Sequence, residues 1–218
     1  MQDQYFITMK KIILLLFIIS FGCEKSIDNL LEESIVLENE GKYINANKIL
    51  DEIIQIDSTF LGAYLNRGAN KSILKNYESA IEDYKLVLKF DSKNKLALFN
   101  IGNNLKRLNK FSESINYYDK IINDTSIIIY AKDNTNPFHV SLEDTYYERG
   151  LAYYSLERFE DALYDFKACV SDNNPEAYYM LGSTFYVFGK DIEACLAYKK
   201  GMYLGNIDSK KQFKKLCE

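Results

Sequence analysis

Residues 61–94, LGAYLNRGANKSILKNYESAIEDYKLVLKFDSKN, decide the fold, because their spacing of large and small side chains recurs along most of the chain. Large rings and small residues alternate as two antiparallel helices require. The residues that set this spacing are Tyr64, Gly68, Tyr77, Ala80, Tyr84 and Val87, and Asp91 closes the unit. Two helices approach to about 8 Å only where small residues lie at the crossing, so we expect Gly68 to face Ala80. The stretch predicts one helix-turn-helix unit.

Four further stretches restate the spacing, beginning near residues 27, 95, 143 and 175. Their matching residues include Leu30, Ala46 and Leu50; Leu98, Gly102, Phe111 and Tyr118; Tyr146, Gly150, Ala162 and Phe166; and Tyr178, Gly182, Ala194 and Tyr198. The pattern resembles the tetratricopeptide repeat, a helix-turn-helix of about 34 residues that stacks on its neighbours. The resemblance implies an all-α, right-handed α-solenoid of about five repeats plus a C-terminal capping helix. It also implies a protein that binds other proteins.

The N-terminus has the order of a secretory signal, which would be removed as residues 1–22. Lys10 and Lys11 precede the apolar run 12–21, which is too short to span a bilayer, and Gly22 and Cys23 follow. The Gly-Cys pair resembles the lipobox of bacterial lipoproteins, which implies acylation of Cys23 and a lipidated tether at 23–26. Ordinary secretion after cleavage nearby is the alternative, and translation from Met1 or Met9 is left open. The expected location is an outer or inner membrane of a bacterial cell envelope, with the repeats in the periplasm or at the cell surface.

The register of the repeats breaks once. Repeats 1–3 are predicted at 27–128, repeats 4–5 at 143–207 and a capping helix at 208–218 with Asp208 as its cap. An insert at 129–142 separates the two blocks, and we expect the second helix of the third unit to extend into it before an ordered loop. Alternatively, the insert only divides the array. It contains His139, the only histidine of the chain, for which the sequence offers no partner ligand.

Composition and motifs exclude several classes of function. The formal net charge of -4 argues against a general nucleic-acid binder, which needs a concentrated basic face. The sequence has no phosphate-binding, dinucleotide or metalloprotease motif, so we expect no catalytic residues, no cofactor, no metal and no small-molecule substrate. Cys169, Cys195 and Cys217 lack a zinc spacing and suit buried small positions. Whether they form a single disulfide is left open.

The surface that stacked repeats create is the candidate site. We number each unit from its first residue, which is 61, 95, 143 or 175. The residues at places two, five, nine and twelve then lie on one side of the unit's first helix. The groove residues predicted from this rule are Phe99, Asn103, Lys106, Tyr147, Tyr154, Tyr179 and Tyr186. The four tyrosines form a ladder on adjacent helices, and tyrosine is a frequent anchor in recognition. Alternatively, these rings only pack against a neighbouring repeat or the insert.

The sequence therefore predicts a non-enzymatic protein-interaction scaffold or adaptor of the cell envelope, held at a membrane by its lipid. Its partner would be a peptide or protein segment in the groove. One alternative is a structural subunit of a stable envelope assembly. Another is an accessory to enzymes acting on envelope polymers, for which Asp144 and Glu176 are the evident carboxylates.

Overall fold

The computed structural model describes residues 26–124, 140–170 and 174–218, which form eleven α-helices. They fall into two compact units, which divide between Ala63 and Tyr64. The predicted signal segment, Cys23, His139 and most of the predicted insert lie outside the described residues. None of the described helices combines the length and apolar character needed to cross a membrane.

The first unit is built on one helix pair. Helix α1 spans Ile27–Asn39 and α2 spans Tyr43–Ile56, and α3 begins at Leu61. Leu30, Leu50 and Ile53 meet Ala63 in a closed apolar core. Because the apolar residues recur every three or four positions, each helix buries one face.

The second unit repeats the pair. Its helices are α3 Leu61–Ile73, α4 Tyr77–Phe90, α5 Lys95–Arg107, α6 Phe111–Ile122, α7 Leu142–Ser155, α8 Phe159–Cys169, α9 Pro175–Val187, α10 Asp191–Tyr203 and α11 Ile207–Leu216. The first helix of a pair packs on the second, and each second helix from α4 onward packs on the first helix of the next pair. The prediction of an all-α fold of the α-solenoid class is confirmed.

Side-chain caps start the first helices. Asn94, Ser141 and Asn174 accept hydrogen bonds from the backbone N–H groups three residues ahead, at 2.9–3.0 Å. Such caps satisfy donors that the helix itself leaves open. Pro175 follows its cap at the start of α9, where a residue without an N–H is tolerated.

A left-handed residue ends each first helix and sets the turn. Lys75, Asn109 and Glu157 occupy equivalent positions with φ near +60°. The residue after the last of these, Arg158, donates its N–H to the Tyr153 carbonyl at 2.9 Å, closing a Schellman turn. These turns return the chain antiparallel to the first helix.

An aromatic ring of the second helix lies against the glycine that recurs in the first helix of repeats two to five. A Cβ atom built on Gly68 would lie 2.9 Å from the Tyr84 ring, and one built on Gly182 would also lie 3.2 Å from the carbonyl oxygen of Ala194, the counterpart of Ala80. The same arrangement pairs Gly102 with Tyr118, Gly150 with Phe166 and Gly182 with Tyr198. The glycines are needed because the ring of the second helix lies directly against the first helix.

A buried ion pair joins the helices of the fourth repeat. Arg149 donates two hydrogen bonds to Asp165, at 2.8 and 2.7 Å, and one to Asp119 on the preceding repeat at 2.5 Å. Burial opposes the charge of Arg149, but the hydrogen bonds and charges of the two aspartates outweigh burial and raise its pKa. The second repeat has the same pair, Arg67 with Asp83.

Two predicted boundaries need correction. Helix α6 ends at Ile122, where the Asn123 N–H bonds back to Asp119 and Ile121, so it does not extend to the predicted insert. The capping helix α11 begins at Ile207, and its cap is Asn206, which accepts from the Ser209 N–H at 2.7 Å. Asp208 lies in the first turn instead, where a carboxylate favours the helix dipole.

The structure decides the cysteine pairing that the sequence left open. Cys195 on α10 and Cys217 at the end of α11 form a disulfide with 5.8 Å between their Cα atoms. Cys169 is a free thiol buried in the core, and burial raises its pKa to about 12. The capping helix is therefore covalently attached to the last repeat.

Candidate functional site

Three successive first helices of the second unit carry the predicted groove residues. Helix α5 holds Phe99, Asn103 and Lys106, α7 holds Tyr147 and Tyr154, and α9 holds Tyr179 and Tyr186. All seven are at least partly accessible, and Tyr186 is the most open, with 49% of its surface exposed. Their helices are consecutive first helices of the array, and a single groove surface across three repeats stays a prediction.

Each of these first helices has an aromatic residue at place five, and its ring packs against an aromatic ring of the paired second helix. The ring centroids are 6.1 Å apart in all three pairs, which are Phe99 with Tyr118, Tyr147 with Phe166 and Tyr179 with Tyr198. The lower rings are the ones that fill the glycine gaps. The groove rings thus form the layer directly above the core, and each combines packing with partial exposure.

The tyrosines of α7 and α9 lie close together. Burial raises the pKa of Tyr154, and the neighbouring Tyr179 raises it further. Burial also raises the pKa of Tyr198, whose hydroxyl donates to the Ser183 hydroxyl at 3.3 Å. The Tyr154 hydroxyl therefore stays protonated at neutral pH, so the surface offers a hydroxyl group that donates and accepts hydrogen bonds as well as an aromatic face.

Lys106 is held in an ion pair. Its ammonium contacts the Glu148 carboxylate, which joins α5 to α7. Burial and the charge of Arg107 lower the pKa of Lys106 to about 8. The Glu148 carboxylate opposes this shift by favouring the charged ammonium. Lys106 therefore lies in the predicted groove but is positioned by Glu148.

The side chain of Asn103 is also held in place, in this case by a residue of the paired second helix. The Tyr118 hydroxyl donates to the Asn103 side-chain oxygen at 2.7 Å. In the fourth repeat the equivalent positions hold Leu151 and Phe166, an apolar pair in place of the polar one. The carboxamide of Asn103 is thereby turned so that its nitrogen, a donor, is the end available to a ligand.

A cleft of about 510 Å³ opens between α3 and α5. Its polar lining comprises Ser72, Lys75, Tyr77, Tyr84, Asn100, Asn103, Asn104 and Arg107. Sequence reasoning did not single out Lys75 and Arg107 as binding residues, because they fall outside the four places assumed to face the groove. The sequence feature that could have pointed to these two cations is the absence of acidic residues from α3 and α5.

Two carboxylates accompany the tyrosines. Asp144 and Glu176 lie in the first turns of α7 and α9, and both are exposed. Burial raises the pKa of Tyr147, and the nearby charge of Glu176 adds to the shift. The site therefore combines aromatic rings with negative charge at this end.

The site presents groups that are common in non-covalent protein interfaces. Within residues 26–124, 140–170 and 174–218, no three His, Cys, Asp or Glu side chains are grouped so as to hold a metal ion. The groups presented are aromatic rings, amides, hydroxyls and single charges, which bind extended polypeptide well.

A family model described as the tetratricopeptide repeat matches residues 61–94 and 96–123. The chain thus contains tetratricopeptide repeats, and the predicted repeat type is confirmed for these two units. No curated protein matches the chain in a sequence search.

Several solved structures share the fold. MamA (residues 41 to the end) from Desulfovibrio magneticus RS-1 has a TM-score of 0.70 and 17% identity, over 83% of this chain and 95% of that one. YrrB, described as a TPR protein with an unusual peptide-binding site, has a TM-score of 0.66 and 16% identity, over 86% and 91% of the two chains. PilW, described as a widely conserved type IV pilus biogenesis factor, has a TM-score of 0.66 and 18% identity, over 88% and 92%. At these identities the likeness establishes the helical repeat fold.

Proposed function

We propose that this protein is a non-enzymatic interaction scaffold that binds a peptide or protein segment on the surface formed by α5, α7 and α9. It acts at a bacterial envelope membrane, to which acylated Cys23 attaches it.

The observation that carries the binding proposal is the set of partly exposed rings on consecutive first helices. Tyr147 and Tyr179 are each supported from below by a core ring at 6.1 Å, so they are ordered before a partner arrives. Pre-ordered aromatic side chains lose little conformational entropy on binding. YrrB, a TPR protein with an unusual peptide-binding site, has the same fold, which supports the same use of it here.

Two observations support the envelope location. The order of Lys10 and Lys11, an apolar run and Gly22-Cys23 is that of a lipoprotein signal. The Cys195–Cys217 disulfide suits an oxidising compartment, because cytosolic thiols are usually kept reduced. The two features lie at opposite ends of the sequence and are independent of each other.

The groove is tested by the combined variant Tyr186→Ala and Tyr179→Phe. It removes the most exposed ring and one hydroxyl, while phenylalanine retains the packing on Tyr198. We expect about a 30-fold loss of the envelope protein that cross-links to the native chain, as is typical of an aromatic hot spot.

The matched control is Tyr164→Ala, which removes a tyrosine exposed to 66% on the second helix α8. It should capture the partner as the native protein does, and both variants should keep native helicity by circular dichroism. Equal capture by all three proteins would show that the groove tyrosines serve packing alone.

Anchoring is tested by Cys23→Ala in cells supplied with labelled palmitate. We expect the native protein to incorporate label and to sediment with membranes, and the variant to lose the label and leave the membrane fraction, because acyl chains supply the attachment. Cys169→Ala, which changes a buried thiol, is the control and should remain labelled. Label retained in Cys23→Ala would refute the lipoprotein proposal.

A structural subunit of a stable assembly is the second candidate, favoured by apolar side chains on α10. Ile192, Leu196 and Tyr203 are well exposed and lie along one side of this helix. Sedimentation at increasing concentration separates the candidates, because a self-assembling subunit gains mass and a monomeric adaptor does not.

A further inference from the structure

The charges of the first helices in the second unit are divided by sign along the array. Helices α3 and α5 carry the cations Arg67, Lys71, Lys95, Lys106 and Arg107 and no carboxylate in their sequences. Helices α7 and α9 carry the carboxylates Glu143, Asp144, Glu148 and Glu176 and a single cation, Arg149. Helices α5, α7 and α9 supply the groove surface, and the cleft between α3 and α5 continues it because Asn103 lines both, so the division of charge runs along the groove.

Ion pairs neutralise some of the charges in each half. The charges that remain are positive on α3 and α5 and negative on α7 and α9. On the cationic side, Arg67 and Lys71 share Asp83, and Lys106 is paired with Glu148 of the acidic side. On the acidic side, the only cation, Arg149, is already bound by Asp119 and Asp165.

The cationic half has the chemistry of a carboxylate site. Lys75 and Arg107 are exposed at the cleft between α3 and α5, which also contains Asn100 and Asn103. The Asn103 oxygen already accepts from Tyr118, so its nitrogen is the end that can donate to a ligand. Amide donors together with two cations favour an aspartate or glutamate side chain.

The acidic half has the chemistry of a cation site. Asp144 and Glu176 are exposed at the start of α7 and α9. Glu176 is near enough to Tyr147 to raise its pKa further, so a carboxylate and an aromatic ring are presented together. A lysine or arginine side chain gains both an ion pair and a cation–π contact in such surroundings.

We propose that the segment bound in this groove is charge-polarised: acidic where it crosses α3 and α5 and basic where it crosses α7 and α9. The inference rests on the proposed function and adds the chemistry of the partner to it. Complementary charge of this kind sets the register of the bound segment and excludes segments of uniform charge.

The probes are three fluorescein-labelled peptides of identical composition. Four helices spaced by roughly 10 Å span about 30 Å, which about ten extended residues cover. Each peptide therefore has about 14 residues, with three Glu, three Lys and a neutral spacer containing Tyr and Leu. One has the Glu block first, one has the Lys block first, and the third alternates Glu and Lys. Fluorescence anisotropy at low salt measures the dissociation constants.

We expect one of the two block peptides to bind at least about tenfold more tightly than the alternating peptide, with the preference reduced at high salt. Lys75→Glu with Arg107→Glu should weaken the preferred peptide, and so should Asp144→Lys with Glu176→Lys. Lys89→Glu with Glu82→Lys, at exposed positions on the second helix α4, is the control and should leave its binding unchanged.

Equal binding of all three peptides, or charge reversals without effect, would overturn the inference. The groove variant separates this failure from failure of the proposed function. If the block peptides are not preferred but Tyr186→Ala with Tyr179→Phe still loses the cross-linked envelope partner, the groove binds a segment of another charge pattern. If that variant also keeps the partner, the proposed function itself fails.

Discussion

Replacing Arg149 with methionine should lower the free energy of unfolding by about 3–5 kcal/mol, the usual cost of leaving a buried partner unpaired. The Asp165 carboxylate is fully buried, and the two hydrogen bonds that it accepts come from this guanidinium. Methionine keeps most of the apolar stem but provides no donor. Urea unfolding followed by circular dichroism measures the loss.

Arg158→Met is the matched control, because Arg158 makes an exposed ion pair with Asp161 one turn away. Exposed pairs of this kind contribute about 0–1 kcal/mol. A second variant, Arg149→Met with Asp165→Leu, should recover much of the lost stability, since no charge is then left buried. If Arg149→Met costs no more than Arg158→Met, the buried pair is not important for stability.

Removing the disulfide by Cys195→Ser with Cys217→Ser should cost about 3 kcal/mol, as expected for closing a loop of 22 residues. The cross-link limits the conformations of the unfolded chain and holds α11 on α10. The measurement compares the urea midpoints of the native protein with and without dithiothreitol and of the double variant without it.

Cys169→Ala provides the control, because its response to dithiothreitol should match that of the native protein. The pairing of Cys195 with Cys217 also tests whether the protein lies in an oxidising compartment. In intact cells, Cys195 and Cys217 should resist a membrane-permeant thiol reagent until a reductant is added. Labelling of both without reductant would contradict the disulfide and remove its support for an envelope location.

Much of the helical repeat fold can be predicted from the spacing of residue types along the sequence. The recurring aromatic and glycine spacing predicts the helix pairs, because only one side chain size fits each crossing between them. The repeated units at 61–94 and 96–123 are matched by the family model. The predicted signal segment and most of the predicted insert lie outside the described residues.

The Arg–Asp pairs could have been found by comparing repeats. Arg67 with Asp83, and Arg149 with Asp165, are each 16 residues apart and occupy the same two places of their units. The third and fifth repeats have apolar residues at the arginine place, Ile101 and Leu181, and lack the aspartate. A charge that appears only with its partner indicates a contact between the helices.

The sequence by itself determined the repeat architecture, the lone histidine and the charge division along the first helices, because these depend on residue type and spacing. Only the tertiary structure decided which ring fills each glycine gap, that Lys106 is paired with Glu148, and that Cys195 joins Cys217. Each of these depends on distances between side chains of different helices. Such distances are set by how the helices pack, and periodicity within one helix does not specify them.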